Sequence, residues 1–367
     1  MQRREPLKEI LASTRSNWNQ PSTRAAVRAN FEKVLNCRTE ALGAEVYASS
    51  TELKVVYHTC KSRACSSCGH RATTLWQREM WAALPDIEFA GVVFTMPSEL
   101  WPTFRGNRHL LNDLPTVGAA VIDQWSKETQ GARLMITVVP HTFGRHLNFN
   151  PHLHVLVSNG GQRTADGMWI PVCQLDKEAL MRRWRYAVIT YLREALKRGL
   201  LRSEASPLEI KRLLTTQYER WWNVDVQRRM SKEHFLRYAG RYARRPPLAQ
   251  YRILTSTSEE ISFRTQDHKQ KREVVTRYTP EKFIELLSDH VPDHYRHAIR
   301  HFGLLAPRTK GPAFGSIFAQ LRQPRRQRPR RLSWAVSIER EFGVNPLVDS
   351  AGERMRQIAR RRPVLGS

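Results

Sequence analysis

Asn150-Pro151-His152-Leu153-His154-Val155-Leu156-Val157-Ser158 is the stretch whose reading decides the fold. Side chains alternate faces along a strand, so His152 and His154 share one face while Leu153 and Val155 enter the other layer. Pro151 is tolerated at the first residue of such a strand. Two imidazoles about 7 Å apart on one face suit a shared divalent ion, because neutral imidazole is a good nitrogen donor. Two ligands leave coordination positions open, and an open site suits catalysis at a phosphate oxygen. A third protein ligand is expected. His141 and His146, in the polar stretch 140–150 read as a loop, are the candidates, and a supporting role outside the coordination sphere suits either of them equally well. The bland reading is two surface histidines on a half-buried strand.

Working outward, Leu134–Val139 (LMITVV) reads as a strand that pairs antiparallel with His152–Ser158, and Phe89–Thr95 (FAGVVFT) as another. Residues 176–198 read as an amphipathic helix: Leu180, Trp184, Val188, Leu192 and Leu196 recur every fourth position, and Gly199 ends it. Residues 23–35 carry Val27, Phe31, Val34 and Leu35 on one helical face, with Ser22 and Thr23 as caps. Helices are also expected over 231–244, stopped by Pro246-Pro247, and over 281–301, with a small sheet over 251–279.

The helix over 231–244 contains Arg237-Tyr-Ala-Gly-Arg-Tyr-Ala-Arg-Arg-Pro246. Tyr238 and Tyr242, four apart, share a helix face. Tyrosine forms covalent intermediates, but a phenol with a pKa near 10 is a poor nucleophile at neutral pH. Arg237, Arg241, Arg244 and Arg245 would favour the phenolate and bind the phosphate it attacks. Small Ala239, Gly240 and Ala243 would let a nucleic-acid backbone approach. The bland alternative is an amphipathic helix with tyrosines at the core edge and a solvated arginine face.

The chain has five cysteines, Cys37, Cys60, Cys65, Cys68 and Cys173. Cys60-x4-Cys65-x2-Cys68 has the compact spacing of half a structural zinc site. Cys37 completes a four-cysteine set, with His58 and His70 as alternatives for the fourth place. Cys173 stands alone and reads as core.

With 60 Lys+Arg against 34 Asp+Glu, the 367 residues carry a formal charge of +26. Self-repulsion of that size is relieved by a polyanion, and DNA is the usual one. The Arg-rich stretch 322–331 reads as a disordered DNA-tethering arm. Trp221-Trp222 has two readings, stacking on unpaired bases or core packing. There is no run of about 18 apolar residues, so no membrane span is expected. The opening Met1-Gln-Arg-Arg-Glu-Pro6 does not read as a secretory signal, so a cytoplasmic, nucleoid-associated chain is expected. No Gly-x-x-x-x-Gly-Lys loop is present, which argues against an ATPase.

Five motifs follow one another in order: YHTCKSRACSSCGHR, VVFTMPSEL, HTFGRHLNFNPHLHVLVSNGG, FLRYAGRYARRPP and IRHFGLLA. Together they resemble the two-tyrosine HUH transposases of rolling-circle insertion sequences, where HUH denotes His-hydrophobic-His. The resemblance spans about residues 30–305, with a weaker echo at 334–347. It implies an α+β fold, an HUH nuclease-type antiparallel sheet flanked by helices, with a small N-terminal zinc-binding module before it and a basic, partly disordered C-terminal tail after it. The implied segments are 1–82, 83–305 and 306–367. It further implies Mg²⁺ or Mn²⁺ on His152 and His154, structural Zn²⁺ on the cysteines, and nucleophilic Tyr238 and Tyr242. Such an enzyme nicks single-stranded DNA at element ends, holds a 5′-phosphotyrosine and transfers the strand, with host helicase or replication proteins as partners. Two departures stand out. Relatives carry a further cysteine pair between positions 37 and 60, where this chain reads Val46-Tyr-Ala-Ser-Ser-Thr-Glu52, and another after Leu347, where it reads Val348-Asp-Ser-Ala-Gly352. The same chemistry would also serve a rolling-circle replication initiator or relaxase, and a zinc- and DNA-binding regulator would need neither the histidines nor the tyrosines.

Overall fold

The structure is a computed structural model and describes residues 5–172, 174–243, 246–267, 272–293 and 297–364. Cys173, Arg244 and Arg245 lie outside the described residues. The strands are β1 Ala44–Ala48, β2 Leu53–Tyr57, β3 Phe89–Phe94, β4 Ala132–Phe143, β5 Phe149–Arg163, β6 Trp169–Ile170, β7 Val224–Val226, β8 Ile253–Ser256, β9 Ile261–Asp267, β10 Arg272–Tyr278, β11 Arg300–Gly303 and β12 Arg356–Arg361. The helices are α1 Pro6–Ser13, α2 Arg15–Trp18, α3 Ala25–Leu35, α4 Ser66–Ala83, α5 Trp101–Gly106, α6 Leu114–Gln130, α7 Lys177–Lys197, α8 Pro207–Thr216, α9 Lys232–Ala243, α10 Pro280–Asp289, α11 Pro307–Gln320 and α12 Trp334–Phe342. Packing divides the chain into two compact units, one of residues 77–244 and 295–327, the other of 1–76, 245–294 and 328–367. Among the described residues no helix is long and apolar enough to cross a membrane.

The first unit is built on an antiparallel sheet of order β11-β4-β5-β3-β7, with β6 added to β5. Leu153, Val155 and Val157 of β5 and Val92 and Phe94 of β3 face α6 and α7, in one core with Ile122, Trp125, Trp184 and Val188. The Asp176 side chain caps α7 by accepting from the amides of Glu178 and Ala179, and Gly199 follows the helix at φ +66°. On the opposite face Phe235 of α9 stacks on Phe89 of β3, with ring centroids 4.2 Å apart. A Cβ at Gly91 would lie 3.3 Å from the Tyr238 ring, so this glycine admits the helix to the sheet.

His301 on β11 pairs with Thr137 of β4, and its Nδ1 lies 3.0 Å from Thr137 Oγ1. Burial, with the Lys310 charge as a lesser cause, pushes its pKa down to about 4. The unfolded imidazole titrates near 6.5, so over the interval between these values the unfolded chain binds the extra proton. The neutral ring therefore favours the fold above that window. Inside it stability is lost as the pH is lowered, by about 1.4 kcal/mol per unit at most. We expect His301→Gln to flatten the acid limb of a melting-temperature profile, and an unchanged limb would contradict this.

The second unit holds two three-stranded antiparallel sheets, β10-β9-β8 and β12-β1-β2. The small sheet expected over 251–279 is the first of these. The helix expected over 281–301 ends at Asp289 instead; His290 is its C-cap and Pro292 follows. The chain then forms β11, a strand of the other unit's sheet. Helix α3 begins at Ala25, and its N-cap is Arg24 rather than Ser22 or Thr23, with no side-chain cap. Residues 306–367, whose composition predicts a tail, carry α11, α12 and β12.

Candidate functional site

Strands β4 and β5 bring three histidines to one face. The register sets His141 opposite His152 and Val139 opposite His154. His141 therefore lies in a strand, not in the loop expected at 140–150, because β4 continues to Phe143 and the turn occupies only 144–148. The exposed His146 falls in that turn. Ligand-capable nitrogens of His141, His152 and His154 lie within 4.8 Å of one another.

Hydrogen bonds orient two of the rings. His152 Nδ1 donates to the Asn150 carbonyl at 2.7 Å, which leaves the Nε2 lone pair for a ligand. His141 Nε2 donates to the Tyr242 carbonyl at 2.8 Å. The Nδ1 of His154 is buried without a protein partner, an arrangement that costs about 1–3 kcal/mol unless something else pairs with it. Burial, and then the His152 charge, pushes His154 down to about 3, and burial also lowers His152. Both rings are thus held neutral, as metal ligation requires. An orphaned buried nitrogen among three clustered imidazoles fits a divalent ion.

Helix α9 lies against this cluster. The Tyr242 ring stacks on His154 with centroids 3.9 Å apart and planes 24° apart. Tyr238 follows at 4.9 Å from Tyr242. The two phenols differ in setting, since Tyr242 is half-buried and Tyr238 is buried. The arginine-rich sequence led to the expectation of a favoured phenolate, but at Tyr238 burial outweighs the Arg241 guanidinium and pushes the phenol up. Arg241 lies 5.2 Å from the Tyr238 ring centroid, while Arg237 pairs with Glu233 at 2.6 Å. Trp222 is fully buried and its indole donates to the Gln217 carbonyl at 3.2 Å, whereas Trp221 is 65% exposed.

In the other unit Cys37, Cys60, Cys65 and Cys68 converge, with all four sulfurs within 4.8 Å. Sulfur separations are 3.8 Å for Cys37–Cys68, 3.7 Å for Cys60–Cys68 and 3.8 Å for Cys37–Cys65. A tetrahedral zinc with about 2.3 Å Zn–S bonds requires edges of about 3.8 Å. At this spacing the thiols act on one another's protons. Hydrogen bonding to Cys60, then Cys65, lowers Cys37 to about 7, while contact with Cys37 first lowers Cys68 and raises Cys60 and Cys65. His58 instead bonds the Leu42 carbonyl at 3.0 Å, and His70 lies 3.3 Å from Glu341. The missing cysteine pairs therefore leave one compact four-thiol site among the described residues.

Comparison with known proteins gives matches to two families. Residues 135–312 match the family described as "Putative transposase", and residues 8–96 match the family described as "Transposase zinc-binding domain". The "Transposase for insertion sequence element IS801" of Pseudomonas savastanoi pv. phaseolicola is 30% identical over 328 residues, 86% of this chain and 78% of that protein. The chain belongs to the IS801-type insertion-sequence transposases. A second relative, "Putative transposase y4qJ" of Sinorhizobium fredii, is 28% identical over 293 residues, covering 75% of this transposase and 73% of its own length. The zinc-domain match takes in all four converging cysteines, so the zinc-binding domain and the Cys₄ cluster together support structural Zn²⁺.

Proposed function

We propose that this transposase nicks one strand of DNA at the ends of its element with Tyr242, at a phosphate beside His141, His152 and His154. The observation that carries the reading is the placement of Tyr242, whose ring is stacked on His154 and whose carbonyl is bonded by His141. Mn²⁺ or Mg²⁺ on the three imidazoles would supply Lewis-acid polarisation of the scissile phosphate, and a three-nitrogen donor set favours Mn²⁺. Tyr242 Oη attacks phosphorus in line. The Tyr–O–P bond forms as the P–O3′ bond breaks, the phenol gives up its proton, and the departing oxygen takes one to become a 3′-OH. The 5′-phosphotyrosine conserves the ester's energy, so strand transfer to a 3′-OH requires no ATP. Tyr238, deeper and with a raised pKa, serves the second cleavage. Arg237 and Arg241, with Arg244 and Arg245, hold the flanking phosphates. Host helicase or replication proteins would supply the single strand. The zinc-binding domain supports a transposase over a replication initiator that uses the same chemistry.

The test is incubation of the full chain with single-stranded oligonucleotides from the element's ends and Mn²⁺, followed by a denaturing gel. A covalent adduct is expected. Tyr242→Phe should reduce it by a factor on the order of 10³ or more, as removal of a nucleophile does, while Tyr238→Phe keeps the first cleavage. Wild-type adduct levels from Tyr242→Phe would overturn the assignment.

A further inference from the structure

The family matches end at residue 312, yet the most arginine-dense ordered element lies beyond them. Strand β12 and its flanks read Arg354-Met-Arg356-Gln-Ile-Ala-Arg360-Arg361-Arg362. Every residue of β12 is exposed, and none of these arginines has a carboxylate within ion-pair distance among the described residues. Glu45, cross-strand from Arg360, is engaged by the Tyr47 hydroxyl at 2.6 Å instead.

Several contacts fix this segment in place. It is paired along β1 from Ala48 to Ala44. Upstream, Asp349 accepts from the hydroxyls of Ser49 (2.6 Å) and Thr51 (2.9 Å), and Met355 is buried. Downstream, the Val364 amide donates to the Ala41 carbonyl at 3.2 Å. Gly43, at φ +80°, lets β12 pass closely, since a Cβ there would lie 2.7 Å from the Arg361 carbonyl oxygen. Five guanidiniums without a carboxylate partner, three on a fixed edge strand and two on its flanks, repel one another, and a polyanion relieves that repulsion.

The arrangement of these charges selects the polyanion. Arg356 and Arg361 stand opposite Ala48 and Ala44, on one face of the sheet, whereas Arg360 stands opposite Glu45, on the other. The bulge between Val46 and Tyr47 leaves Ile358 as the extra residue and switches the alternation, which would otherwise bring Arg356 and Arg360 to one face. A single strand of DNA has one phosphate row to offer. Duplex DNA has a row on each wall of a groove about 12 Å wide, a width that admits β-structure. We propose that β12 is a duplex-DNA contact surface of this transposase, with Arg356 and Arg361 on one phosphate row and Arg360 on the other. This rests on the reading that the chain acts on DNA, but not on the tyrosine chemistry.

The test is fluorescence anisotropy of the full chain with a labelled duplex and the matching single strand, without added Mn²⁺ or Mg²⁺, across a salt series. For the triple variant Arg356→Glu, Arg360→Glu, Arg361→Glu we expect duplex affinity to fall on the order of 100-fold near 0.15 M salt, and the log–log salt slope to shallow by roughly 2 to 3, about 0.9 per phosphate contact. Single-strand affinity should change much less, and the triple Lys variant should restore the slope. Where the Glu variant fails to fold, judged by its melting profile, the triple Gln variant decides. Unchanged duplex affinity and slope, or equal losses on both DNA forms, would overturn the proposal. Because binding is read without cleavage, a failure to form tyrosine adducts leaves the result interpretable.

Discussion

Replacing His152 and His154 together by alanine is expected to abolish strand cleavage while leaving most of the DNA affinity in place. Both rings sit in the cluster beside Tyr242, and both are kept neutral by burial. Lewis-acid stabilisation of a phosphoryl transition state contributes several kcal/mol. At tenfold per about 1.4 kcal/mol, that is a rate loss on the order of 10³ to 10⁴. DNA affinity rests mainly on phosphate contacts by basic side chains, and neither neutral imidazole supplies one. The fold has little to lose at His154, because its Nδ1 has no protein partner, whereas the Asn150 carbonyl loses its donor from His152. Adduct formation in Mn²⁺, anisotropy on the same oligonucleotide and the melting temperature separate these effects. Cleavage by the double variant at the wild-type rate would remove the three-histidine site from the mechanism. His141→Ala should lose cleavage too, and for an added reason, since His141 also holds the Tyr242 carbonyl.

The third histidine shows where sequence reasoning stops. His152 and His154 were legible from alternation within a single strand. His141 was a candidate third ligand, but its place on the same strand face was not legible, because Pro140 and the polar residues after it carry a loop's signature. The strand nonetheless continues through Pro140, which pairs in register with Leu153 of β5, and this pairing across the sheet is set by residues outside the local pattern. Helix α9 and its tyrosine pair were equally plain, yet the burial that raises Tyr238 is set by the sheet beneath it, including Gly91, which is far away in sequence. Nonlocal pairing also hid β12. Its partner β1 lies some three hundred residues earlier, and a run of arginines masks the alternation a strand would show. What local periodicity carries, the sequence displays. What depends on a distant partner becomes visible only in the folded chain.

The cysteine cluster yields the other large effect. Cys37 follows α3, Cys60 follows β2, Cys65 immediately precedes α4 and Cys68 lies in its first turn, so one ion would join elements that share few other contacts. Apparent zinc affinities in small structural sites are about 10–16 kcal/mol at neutral pH, as large as the roughly 5–15 kcal/mol that holds an ordinary domain folded. The pair Cys65→Ser with Cys68→Ser should therefore lose zinc and unfold the unit that contains β1, β2 and β12. The sheet of β3, β4 and β5 has its own apolar core and should survive, so calorimetry should show an early transition lost and a later one kept. Elemental analysis should give one zinc per wild-type chain. Cys37→Ser should also lose it, while His58→Ala and His70→Ala keep it, since those rings are turned toward Leu42 and Glu341. Zinc retained after Cys37→Ser, or lost after His58→Ala, would mean that the fourth ligand is not the thiol whose sulfur lies 3.8 Å from both Cys65 and Cys68.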